Sequence, residues 1–134
     1  MEDRDPVREY LQQTGNAQHV IEQGLEGLVE RWENLVQLVK DGYTLGLDDY
    51  LKDLDVRQLI DEVMAVATDE QHEEYTDRIN RADEWMKSLV KPSTGCLWGD
   101  EVAEEEGWSA EKNWWYFSRP IKAGKNLLAE IEEV

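Results

Sequence analysis

The chain is short of cysteine, histidine, proline and positive charge: it has one Cys, two His, three Pro, and 14 Lys and Arg against 31 Asp and Glu. Each shortage excludes something. A lone thiol, Cys96, closes no disulfide within the chain. The opening Met-Glu-Asp-Arg-Asp-Pro has neither the basic nor the apolar region of a secretory leader. Together these predict a reducing, cytoplasmic setting. No apolar run approaches the roughly 18 to 20 residues of a membrane span, so no membrane association is expected.

The two histidines, His19 and His72, leave little room for metal chemistry. A di-iron bundle uses two Glu-x-x-His pairs, and Asp69 with His72 is the nearest imitation. Zinc-ligand spacing, a calcium loop, a Walker-type phosphate loop and the dinucleotide glycine fingerprint are all missing. A nucleophile built from Cys96 and a histidine would have to be assembled in space, and no spacing points to one. No catalytic residue, metal ligand or cofactor is therefore assigned.

The shortage of bases leaves a formal net charge of −17 over an ordinary 40% of hydrophobic residues. The negative charge is thus a surface property laid over a normal core. It disfavours direct nucleic-acid binding, which relies on basic groups to neutralise phosphates. It favours basic protein partners, or simply solubility. Disorder is the other risk of such charge, but six Trp and regular Leu, Ile and Val spacing supply enough apolar surface to fold. At 134 residues the chain suits a single domain burying about two thirds of its unfolded surface.

Apolar periodicity predicts helices. Between Asn16 and Asp41 the positions Ile21, Leu25, Leu28, Trp32, Leu35 and Val39 recur at steps of four and three, with Val29 and Val36 on the same side. Asn16 is the expected N-cap and Gly42 the left-handed residue beyond the end, while Gly24 and Gly27 mark a close approach by another helix. A shorter helix around Val7, Tyr10 and Leu11 precedes it, from Pro6 to Gly15. Asp48 and Asp55 are both cap candidates, and a helix is expected over 55–67 on Val56, Leu59, Ile60, Val63, Met64 and Ala67. Thr68 with Gln71 forms a capping-box pattern opening a helix over 69–91, striped by Tyr75, Ile79, Ala82, Met86 and Leu89 and stopped by Pro92.

Residues 93–108 read as a long irregular segment holding at most one helical turn. Ser109 is the expected cap of a helix through Trp114 to Phe117, within an aromatic-rich region over 108–134. Pro120 is expected to open a last helix with Leu127, Leu128, Ile131 and Val134 inward. No internal repeat, linker or strand alternation is present. The fold expected is all-α, a single compact bundle of four to six helices over 1–134.

Two surfaces stand out as partner-binding candidates. Glu22, Glu26, Glu30 and Glu33 share one face of the long helix with no base among them, a like-charge ladder that costs an isolated helix roughly 0.2–0.5 kcal/mol per pair. The helix over 69–91 differs, since Glu74 with Arg78, Asp77 with Arg81 and Asp83 with Lys87 are acid-before-base pairs at helical spacing.

The second surface is Trp114, Trp115, Tyr116 and Arg119. With Trp98, Trp108 and Phe117, these rings lie within twenty positions. Four consecutive aromatics cannot share one helix face, so they close the core or anchor a partner. Between Ala110 and Asn126 the bases Lys112, Arg119, Lys122 and Lys125 outnumber Glu111, an island of positive charge. Such rings and bases also suit single-stranded nucleic acid, but the field of the whole molecule repels a polyanion.

The expected function is therefore non-enzymatic: an acidic interaction protein binding a basic protein partner, as an inhibitor, an immunity-type or antitoxin-type neutraliser, or a mimic of nucleic-acid charge. Two alternatives remain. One is a magnesium- or manganese-dependent helical nucleotide hydrolase using Glu30 with Glu33, Glu70 with Glu73, and Asp77. The other is self-association, with the basic island docking on the glutamate ladder of a second copy.

Overall fold

Asp5 starts the first helix, α1 (Pro6–Gln13), by accepting the N–H groups of Val7 and Arg8 at 3.1 and 3.2 Å, while Pro6 occupies the first turn, where no backbone donor is needed. The computed structural model describes residues 5–133. Within them the fold is all-α, six helices joined by short connections and one two-stranded ribbon.

The second helix, α2 (Gln18–Lys40), buries the expected stripe from Leu25 to Val39, with Trp32, Val29 and Val36 fully enclosed. It begins after Ala17, not Asn16, whose side chain donates to the carbonyl of Leu11 and finishes α1 instead. Gly24 kinks the helix with φ +60 and ψ −151. The close approach expected there is made by Arg8 of α1, whose guanidinium passes over Gly24 and donates to the carbonyl of Glu22 at 2.9 Å, whereas the side chain nearest Gly27 is Gln23 of α2 itself and not another helix. Gly42, at φ +91, lies just beyond the last turn.

The third helix, α3 (Leu47–Met64), starts a full two turns earlier than the expected 55–67. Neither Asp48 nor Asp55 caps it; the N–H of Leu47 is taken by Glu130, at 3.0 Å, from the last helix. The buried face runs through Leu47, Tyr50, Leu51, Leu54, Arg57, Ile60 and Val63. Arg57 in mid-stripe hides that continuity from an apolar count.

The capping box at Thr68 and Gln71 is formed as expected and opens α4 (Asp69–Leu89), which turns Tyr75, Ile79, Ala82 and Met86 inward. After it, β1 (Val90–Pro92) pairs antiparallel with β2 (Ser118–Pro120). Strands of three residues are too short to show alternation in sequence. The irregular stretch after Pro92 contains α5 (Asp100–Glu106), ended by Gly107 at φ +74.

Ser109 caps only a turn, and Trp114–Phe117 forms a 3-10 turn instead of an α-helix. Pro120 belongs to β2, so α6 (Lys125–Glu133) opens five residues later than expected. Leu127 and Ile131 face inward as expected, and Val134 lies outside the described residues.

The core closes around α2, which packs on α1, α3 and α4, while the 3-10 turn and α6 lie against α3. At its centre is a buried ion pair. Arg57 donates to both carboxylate oxygens of Asp83 at 2.9 and 2.8 Å, Trp32 Nε1 donates to Asp83 at 2.9 Å, and the guanidinium lies 4.5 Å from the Trp115 ring centroid. Asp83 is thus paired across the bundle, and Lys87, its expected i+4 partner, lies over the Trp114 ring.

Candidate functional site

The glutamate ladder faces outward but is not free along its length. Arg78 of α4 reaches across to α2 and clasps Glu26 with two 2.9 Å bonds and Glu33 with bonds of 2.7 and 3.3 Å. The expected pairing of Arg78 with Glu74 on its own helix gives way to this bridge between helices. The Arg78 guanidinium holds the Glu26 carboxyl below its ordinary range, and the two glutamates hold the Arg78 proton more firmly still. The Glu22 carboxylate accepts from the Gln18 amide at 3.3 Å. Among the described residues Glu22 and Glu30 have no ion-pair partner, so half the ladder lies outside the Arg78 clasp.

The aromatic run is mainly a wall of the core. Trp115 and Tyr116 are 2% and 1% exposed, whereas Trp114 is half-buried, edge-on to Trp32 at 6.2 Å. Three residues per turn put Trp114 and Phe117 on one side and leave Trp115 and Tyr116 to point inward. Arg119 sits half-buried in β2, paired across the ribbon with Lys91, and among the described residues its buried Nε has no acceptor. As a free anchoring surface, therefore, the run is reduced to parts of Trp114 and Arg119.

The structure brings together a site that the sequence reading did not assemble. Asp55, Gln58, Leu59 and Glu62 occupy one face of α3 at i, i+3, i+4 and i+7; Val102, Glu105 and Glu106 do the same on α5. Between these faces runs an open groove of about 620 Å³, walled by Trp98, Trp108 and Tyr116. Trp108 stacks on Tyr116 at 4.1 Å with an interplanar angle of 22°. On the α3 side, Asp55, an exposed residue, accepts at Oδ1 from Tyr116 O–H at 2.5 Å and from Trp98 Nε1–H at 3.2 Å.

Glu62 accepts from Tyr10 O–H at 2.7 Å and from the Gln58 amide at 3.3 Å, and Asn113 in turn holds Gln58 at 2.9 Å. Every one of these donors is neutral. Among the described residues no lysine or arginine pairs with Asp55, Glu62, Glu105 or Glu106. Burial against the rings raises the Asp55 carboxyl above its usual range although one edge meets solvent, with the Tyr116 and Trp98 donors opposing the shift. Burial and the adjoining Asp55 push the Tyr116 phenol strongly upward, so it remains a donor at any physiological pH.

Such a groove attracts a cation and offers it ring faces and aliphatic walls. The signal in sequence was the spacing of 55, 58, 59 and 62 together with Trp98 and Trp108. Asp55, a cap candidate by sequence, lies in the middle of α3. Of the carboxylates in the hydrolase reading, Glu33 is held by Arg78, and among the described residues no group of three or more His, Cys, Asp or Glu side chains is placed to hold a metal ion.

Among the described residues no helix is long and apolar enough to cross a membrane. Comparison with known proteins finds no family model, no curated protein and no solved structure significantly similar to the chain.

Proposed function

We propose that the chain is a non-enzymatic interaction protein that binds a basic protein partner, with the Asp55–Tyr116 groove as its principal seat. A role as an inhibitor, an immunity-type or antitoxin-type neutraliser, or a mimic of nucleic-acid charge falls within this reading. The observation that carries it is the set of four groove carboxylates with no basic partner among the described residues, beside three aromatic side chains. Elsewhere the protein neutralises exposed acids with its own arginine, as Arg78 does for Glu26 and Glu33. Glu22 and Glu30 then add to the long-range field that steers a cationic partner inward.

The test is to identify a partner by co-purification and to measure its association with the purified chain at several salt concentrations. Reversing Glu105 and Glu106 to Lys should slow association by about tenfold and flatten its salt dependence, since charge reversal acts mainly on the encounter rate. An unchanged on-rate in that double variant, with the fold intact by circular dichroism, would remove the groove from consideration.

A further inference from the structure

The interior of this protein holds a completed counterpart of the groove. There, Asp83 accepts an indole N–H from Trp32 and two N–H bonds from Arg57, whose guanidinium lies over the face of Trp115. A carboxylate, an indole N–H directed at it and a neighbouring ring face make a receptacle that a guanidinium completes. The planar group stacks on the ring while its fork of donors meets the carboxylate, which a compact ammonium cannot do at once.

The groove holds the same kinds of group without an arginine. Asp55 Oδ1 accepts from Trp98 Nε1–H and Tyr116 O–H, and no donor among the described residues reaches Oδ2. Trp108, half-buried and backed by Tyr116, supplies the ring. Glu105 and Glu106 are exposed at the edge, where a second positive charge would lie.

We infer that the groove grips an arginine side chain of a partner protein and discriminates against lysine at the same position. This rests on the proposed function and adds the chemical identity of the gripped residue.

Capped tetra-arginine and tetra-lysine peptides carry the same charge and serve as probes, titrated into the full chain by calorimetry and by NMR of the Trp98 indole N–H. Tetra-arginine should bind at least tenfold more tightly and shift the Trp98 signal. Trp108→Leu should bring the ratio of the two affinities near one. Glu105→Gln with Glu106→Gln, on the exposed side of α5, should weaken both peptides alike.

Equal affinities in the unmodified chain, with both lowered by the glutamine pair, would overturn the arginine inference while leaving a basic partner in place. Absence of binding by either peptide, or binding indifferent to every groove variant, would overturn both readings. Asp55→Asn should abolish the arginine preference; if that variant loses its fold, the peptide ratio in the unmodified chain still decides.

Discussion

Arg57 and Asp83 carry opposite charges in a place where neither would survive alone. Their hydrogen bonds, with the Trp32 N–H and the Trp115 face, satisfy both groups within the core. Removing one partner leaves the other buried and uncompensated. Arg57→Ala should therefore lower stability by about 3–5 kcal/mol, measured by urea denaturation, whereas Arg57→Met combined with Asp83→Leu should cost much less than the two single changes added together.

Glu26 shows the exposed counterpart. Its carboxyl is held below the ordinary range by Arg78, so the contribution is present at neutral pH and is lost as pH falls through that depressed range. Arg78→Leu should cost roughly 0.5–1 kcal/mol near pH 7, because the pairs are exposed and screened, and less once acid has protonated the Glu26 carboxyl. A cost that persists in acid would assign Arg78 a packing role instead.

At the scale of elements, α2 owes its bend to one residue. An ordinary helical glycine gains up to about 1 kcal/mol on replacement by alanine. Gly24 sits at positive φ with Arg8 packed over it, where a Cβ would stand 3.1 Å from the arginine Nε. Gly24→Ala should thus destabilise by about 1–3 kcal/mol, and calorimetric melting reads the sign directly. The stripes of α2 and α4 and the capping box of α4 were legible because they are local and periodic. The first two turns of α3 were not, because Arg57 interrupts the apolar count and the stabilising acceptor at Leu47 comes from Glu130, far along the chain. The Trp114–Phe117 run forms a 3-10 turn where an α-helix is expected, and the tighter turn redistributes which rings face inward.

For the whole molecule, a net charge of −17 opposes compaction through self-repulsion. Raising salt from about 10 mM to about 300 mM shortens the screening length from roughly 30 Å to below 10 Å and should raise the melting temperature. A melting temperature that falls with salt would mean that the arginine clasp of Glu26 and Glu33 outweighs the net repulsion. Under the proposed function, the same field would give the groove its reach, and the arginine preference inferred for it would rest on the short-range arrangement of Asp55, Trp98 and Trp108, which salt screens less.

The helical class, the inward stripes and the acidic surface were determined by the sequence alone, because each rests on composition or on neighbours within one or two turns. Which acids stay uncompensated was decided only by tertiary structure. Arg78 neutralises residues 45 and 52 positions away, while α5 and the Trp108–Tyr116 stack meet α3 across a similar span of chain. Charge pairing at such separations depends on how helices pack, and a spacing rule that sees one helix at a time places the same glutamates on an open face.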